Sequence, residues 1–163
     1  MSLFERLGGI QSSEIRRMFE LAATRADSIS LGIGEPDFTT PEYIRRAAEK
    51  ALEEGATHYA PNRGIAPLRE AIAEKYRREN GIECTESNVI VTVGATEGLL
   101  LALSSFLRES EEVLIPTPSF LVYGPTVRIA GGIPREVACM DCDNFHPLPD
   151  VLEASITEKT RAI

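Results

Sequence analysis

The sequence predicts an α/β fold with a mostly parallel sheet. Three observations predict it: short apolar runs such as Val89–Val93 and Val113–Ile115, helical patterns of about ten residues between them, and Gly or Pro at most junctions. The length of 163 residues suits one domain with a real core, and 43% apolar with 26% charged residues is globular composition. A net charge of -8 leaves no excess of Lys or Arg to displace counterions, which argues against general nucleic-acid binding. No apolar stretch approaches the ~20 residues of a membrane span. The opening Met-Ser-Leu-Phe-Glu-Arg lacks a signal peptide's charged and apolar regions. Three cysteines are too few for a disulfide framework. A cytoplasmic, reduced, acidic protein is expected.

Each element has a local reason. Residues 12–26 read as a helix because Ile15, Met18, Phe19, Ala22 and Ala23 recur on one face. Ile29 to Ile33 reads as a short extended piece, stopped by Gly34-Glu-Pro-Asp-Phe38. A second helix starts with Thr40 as N-cap, Pro41 in the first helical position and Glu42 in the first turn. It carries Ile44, Ala47, Ala48, Ala51 and Leu52 on one face and stops at Gly55. After a loop from His58 to Ala66, a third helix begins near Pro67, buries Leu68, Ile72 and Tyr76, and ends at Gly81. Val89–Val93 then reads as a strand.

From about Thr96 to Arg108 a helix is expected to be buried on more than one side, since Leu99, Leu100, Leu101, Leu103, Phe106 and Leu107 surround it. Val113–Ile115 reads as a strand ending at Pro116. A helix covers Tyr123 to Ala130 and Gly131-Gly132 breaks it. Arg135–Cys139 reads as a strand, residues 148–156 as a helix, and Arg161–Ile163 as the opening of another strand. That last strand stops without its crossover, so an interrupted domain is expected.

The chemistry-bearing feature is the junction of the Val89–Val93 run with Gly94-Ala95-Thr96. Backbone N–H groups and the positive end of a helix dipole meet there at a turn almost without side-chain bulk, which suits a phosphate. Taken alone, the turn is equally a packing glycine under a buried helix. Cys139-Met-Asp-Cys142 with His146 has metal or redox spacing, but no second ligand pair accompanies it and Cys84 is remote. A Cys at the end of an apolar strand is more simply a small core residue, and no metal is expected.

Four segments, taken together and in order, resemble the N-terminal part of the class I/II aminotransferases, pyridoxal-phosphate enzymes of fold type I. They are Leu31-Gly-Ile-Gly-Glu-Pro-Asp-Phe38, Thr57-His-Tyr-Ala-Pro-Asn-Arg-Gly64 continuing through Leu68-Arg69-Glu70, Val91-Thr-Val-Gly-Ala-Thr96, and Pro118-Ser-Phe-Leu-Val-Tyr123. The likeness is greatest to the aspartate-aminotransferase-like members and covers nearly the whole chain. It implies a three-layer α/β/α large domain, incomplete here, over residues 38–163, and an N-terminal arm over 1–37 that contributes to a small domain.

The resemblance also implies roles. Gly94, Ala95 and Thr96 would cradle the phosphate of pyridoxal 5'-phosphate, and Phe120 would stack on its pyridine ring, the alternative being a core Phe after a strand. Gly34 would approach the substrate's α-carboxylate, unless it is only a turn glycine. Tyr59 would reach across a homodimer to the partner's cofactor phosphate, giving shared active sites; otherwise it packs its own loop. Tyr123 fits a core or site-wall position. The implied reaction moves an amino group between an amino acid and a 2-oxo acid.

That chemistry needs a lysine bound to the cofactor aldehyde. Lys50 and Lys75 fall on expected exposed helix faces and Lys159 lacks the family's Ser-x-x-Lys setting, so no residue of 1–163 is assigned as catalytic. The resemblance places that lysine, the aspartate facing the pyridine nitrogen and the carboxylate-clamping arginine after Ile163. An inactive N-terminal fragment of a longer enzyme, or one of two pieces, is expected. Two other readings stay open: another pyridoxal-phosphate reaction on the same fold, such as a lyase or a condensation, and a non-catalytic module binding a phosphorylated ligand or a partner chain. An uncovered leucine-rich helix speaks against the module.

Overall fold

The computed structural model describes residues 14–24, 27, 29 and 34–163. Its elements, in chain order, are α1 (Glu14–Ala23), α2 (Glu42–Glu53), α3 (Ala66–Asn80), a 3-10 turn (Glu86–Asn88), α4 (Gly94–Phe106), β1 (Glu112–Thr117), α5 (Tyr123–Ala130), β2 (Ile133–Ala138), a 3-10 turn (Asp141–Asp143), α6 (Pro149–Ser155) and β3 (Thr160–Ala162). The expected extended piece Ile29–Ile33 lies mostly outside the described residues, as do residues 12, 13, 25 and 26 of the first predicted helix. Two compact units form, one from Ile15–Thr92 and one built on Val93–Ile163.

In the unit built on Val93–Ile163 the sheet has the order β2-β1-β3, and both pairings are parallel. Parallel strands covered on both faces carry continuous rather than alternating apolar runs. β1 follows that rule: Val113, Leu114 and Ile115 are all buried. The β1–β2 register runs without a break from Glu112↔Ile133 to Thr117↔Ala138, so β1 continues past Pro116 instead of ending there. Pro116 is tolerated because β3 pairs only with Glu112 and Val113, so on that side β1 has no described strand partner at Pro116 to miss its N–H. Leu107, Val113, Ile115 and Val127 form the core, joined by Leu103, Ala130 and Ala162. α5 ends at Gly131, which takes the left-handed conformation (φ 100) and passes its N–H to the Arg128 carbonyl.

α4 departs from expectation. It begins two residues early, at Gly94, and none of its residues is buried. It packs on α5. Its apolar face lines a hollow of about 520 Å³ with Leu99, Leu103, Phe106, Tyr123, Val127 and Ile163 on the walls. Leu101, on another side, is 47% exposed. The all-round apolar pattern of this helix therefore exceeds what the described residues cover.

In the unit Ile15–Thr92, α2 starts at Glu42 with Pro41 at the N-cap position and no side-chain cap, so Thr40 does not cap it. Pro41 still serves, because its carbonyl accepts from Ile44 and Arg45 at 3.0 and 3.2 Å. No α2 residue is buried. α3 stops at Gly81 in the left-handed conformation (φ 65), as Gly at this position favours. Ala73 is its buried residue; Leu68 and Tyr76, expected inside, are about 40% exposed, at 42% and 41%.

The predicted strand at Val89–Val93 is not one. Val89 is extended (φ -106, ψ 132) and buried. No strand pairs with the segment among the described residues. Its Val91 N–H donates instead to the Arg63 carbonyl at 3.1 Å. A strand is defined by a partner's ladder as well as by its own apolar run, and only the run is visible in the sequence.

Candidate cofactor-binding site

The junction of Val93 with α4 is an exposed turn opened by a left-handed glycine. Gly94 sits at φ 74, a conformation costly for any residue with a Cβ. A Cβ placed on it meets nothing within 4 Å, so the glycine is required by its dihedral and faces open space. Gly94, Ala95 and Thr96 are exposed and form the first helical turn, where backbone amides gather at the positive end of the dipole. The Thr96 side chain adds a hydroxyl donor. These donors, on an open turn with little side-chain bulk, fit a phosphate group.

One partner of this turn was not anticipated from sequence. The Glu97 carboxylate accepts a hydrogen bond from the Val93 N–H. No N-cap side chain does this job, so an acid in the first turn reaches back to hold the entry to the helix. The signal was present in the sequence: an acidic residue three positions after the turn glycine.

Phe120 lies in the loop before α5 and is 60% exposed, so it is not a core residue. Its ring meets Tyr123 edge-on, with centroids 6.0 Å apart and planes at 87°. Such a pairing fixes the tilt of an otherwise accessible aromatic ring. Tyr123 opens α5 and lines the apolar hollow.

The other site candidates belong to the unit Ile15–Thr92. Gly34 is exposed, with open space where a Cβ would stand; Leu31 to Ile33 of its motif lie outside the described residues. Tyr59 is fully exposed and does not bury its ring in its own loop. The loop itself is anchored at its far end. Gly64 closes a turn by donating to the Pro61 carbonyl at 2.8 Å, and the Arg63 guanidinium donates to the Ser87 carbonyl. Arg69 donates from Nε to the Gly64 carbonyl at 3.2 Å and from Nη1 to the Glu86 carbonyl at 2.8 Å.

The lysines are engaged on helix surfaces or near β3. Lys50 pairs with Glu54 at 3.6 Å, and Lys75 with Glu79 at 3.7 Å while also donating to Asn80. The Lys159 backbone carbonyl accepts from the Glu112 N–H at 2.8 Å. Cys139 is half-buried and Cys142 exposed, both as free thiols. Among the described residues no group of three His, Cys, Asp or Glu side chains is arranged to hold a metal ion. Nor is any helix long and apolar enough to cross a membrane.

Residues 26–163 match the family described as aminotransferase class I and II. The chain belongs to that family. It is 48% identical to the aromatic-amino-acid aminotransferase 2 of Thermococcus litoralis and 49% identical to the aspartate aminotransferase of Pyrococcus abyssi; each alignment spans 100% of this chain and 42% of the relative. The crystal structure of the aromatic aminotransferase from Pyrococcus horikoshii superposes with a TM-score of 0.87 at 45% identity, over 98% of this chain and 40% of that one. The chain thus spans about two fifths of the length of these aminotransferases, and its parallel sheet with flanking helices is the matching part of the fold type I architecture. Family members of this class are in general pyridoxal-phosphate-dependent.

Proposed function

We propose that this chain is the cofactor-phosphate-holding part of a pyridoxal-phosphate-dependent aminotransferase that moves an amino group between an amino acid and a 2-oxo acid. The observation that carries the proposal is the Gly94 turn. A left-handed glycine opens α4 onto free space, in a chain that matches this family over residues 26–163. Bound there, pyridoxal phosphate supplies an electron sink for the substrate's α-carbon.

The chain's own residues bind and orient. The first-turn amides of α4 and the Thr96 hydroxyl hold the phosphate, and small side chains at Gly94 and Ala95 let the backbone approach it. Phe120, tilted by Tyr123, offers a flat apolar surface to the ring and excludes water from one side. Gly34 leaves backbone exposed for the substrate carboxylate. Tyr59, whose ring is fully exposed, extends its phenol to the cofactor phosphate of a second copy in a homodimer. The N-terminal arm, residues 1–37, belongs to a small domain and residues 38–163 to the large one. Lys50 and Lys75 are held in surface pairs and Lys159 follows α6, so the proton-moving lysine is supplied outside residues 1–163.

The test is a paired assay. At its natural length the protein is given aspartate or an aromatic amino acid with a 2-oxo acid acceptor, and both products are quantified. Equal appearance of the new 2-oxo acid and the new amino acid supports transamination. Loss of the amino group as ammonia, or of carbon as CO₂, points to a lyase or condensation instead. Residues 1–163 alone are expected to give no turnover, and robust turnover by them would sink the assignment of the lysine.

A further inference from the structure

We propose that Arg69 is a positioning residue for Tyr59, acting through the carbonyl of Gly64. The proposal rests on the reading that Tyr59 donates to a cofactor phosphate. A fully exposed ring makes few contacts of its own, so its place is set by the backbone that carries it. That backbone is tied down at Gly64, where three restraints converge.

First, Arg69 lies in the first turn of α3, its own N–H bonded to the Ile65 carbonyl at 3.2 Å, and so projects from a regular helix. Its guanidinium bridges two backbone segments, reaching the Gly64 carbonyl at 3.2 Å and the Glu86 carbonyl at 2.8 Å. Second, the neighbouring Arg63 carbonyl accepts from Val91 N–H at 3.1 Å, and a Cβ on Gly64 would stand only 2.8 Å from the Cβ of Val91. Third, Gly64 N–H closes the Pro61 turn at 2.8 Å, two residues after Tyr59. The planar fork of an arginine suits this bridge because its donors point in fixed, divergent directions, whereas a lysine ammonium is a single point at the end of a flexible stem. Arg69 thus connects α3 to the turn that orients Tyr59, and Leu68-Arg69-Glu70 acquires a role beyond helix composition.

The experiment is a double-mutant cycle in the protein at its natural length. It reads the affinities for pyridoxamine 5'-phosphate and for unphosphorylated pyridoxamine, with thermal midpoints as a folding control. Y59F is expected to weaken the phosphorylated probe about tenfold, the scale of one hydrogen bond to a charged acceptor, and to leave the unphosphorylated probe unchanged. R69M is expected to weaken the phosphorylated probe about three- to tenfold. The double variant should be no weaker than Y59F alone, because Arg69 acts only through Tyr59. If R69M does not fold, R69K takes its place, with a smaller loss and the same lack of additivity. Losses that multiply in the double variant, or that fall equally on both probes, overturn the role of Arg69 while the Tyr59 reading stands. No effect of Y59F removes the Tyr59 reading, and the inference with it.

Discussion

Gly64 and Val91 approach so closely that any side chain at Gly64 would overlap Val91, a Cβ there standing 2.8 Å from the Val91 Cβ. Gly64 also sits at φ 92, so sterics and dihedral both demand glycine. Both penalties fall on Gly64→Ala, which is expected to lose at least about 2 kcal/mol of stability. Urea unfolding of wild type and variant reads this directly. A loss below about 0.5 kcal/mol would mean that Val91 yields freely and that the loop is not pinned to the extended segment.

Gly94→Ala makes the instructive contrast. Gly94 shares the left-handed conformation, at φ 74, but nothing stands within 4 Å of its absent Cβ. Only backbone strain then opposes alanine, so the expected loss is about 1 kcal/mol, smaller than at Gly64. The new methyl enters the open space on the turn that the phosphate reading assigns to the ligand. Affinity for pyridoxamine 5'-phosphate should therefore fall by more than that for pyridoxamine, measured on the same folded variant. Equal losses on the two probes would take the phosphate away from this turn.

Glu97 makes two opposed contributions, and one pair of substitutions separates them. Its carboxylate accepts the Val93 N–H, so Glu97→Ala removes a cap and should cost about 0.5–2 kcal/mol, with faster hydrogen exchange at Val93. Glu97→Gln keeps an acceptor oxygen and removes a negative charge from a helix N-terminus proposed to hold a phosphate. That variant should bind the phosphorylated probe about two- to fivefold more tightly, the scale of a charge interacting with a helix end. Weaker binding by Glu97→Gln would show that the carboxylate's charge supports the turn more than it repels the ligand.

Most of the fold was legible because its punctuation is local. Gly81 and Gly131 close their helices in left-handed conformations, and α5 runs over the predicted Tyr123–Ala130. The apolar triplet Val113–Ile115 marks the central strand, since a strand covered on both sides needs no polar alternation. What the sequence could not convey is partnership. Val89–Val93 has a strand's composition but, among the described residues, finds the Arg63 carbonyl rather than a ladder, and α4 has an all-round apolar surface that the described residues do not fully cover. At the site, Gly94 and Tyr59 were visible as residue types in a motif. Arg69 was visible only as part of that motif. Its bridge joins residues 5 and 17 positions away, a distance no local pattern encodes.

The attachment of β3 to the sheet should be acid-sensitive. Glu112, at the start of β1, accepts from the Thr157 hydroxyl at 2.7 Å and from Arg135 Nη1 at 3.2 Å. These partners hold its carboxyl below its ordinary value of 4.5, the Thr157 hydrogen bond first, with partial burial opposing and Arg135 and Lys159 adding to it. A carboxyl whose pKa is lower folded than unfolded contributes stability that is complete above the unfolded pKa and lost as pH falls through the folded one. Denaturant midpoints should therefore decline below about pH 4.5, and Glu112→Gln, which cannot titrate, should flatten that decline. Thr157→Val and Arg135→Gln should each flatten it as well, since both donors favour the ionised carboxyl. The part carried by the neutral Thr157 hydroxyl should persist in high salt, where exposed ion pairs are screened. An acid limb that vanishes in salt, or that Thr157→Val leaves intact, would assign the effect to Arg135 instead.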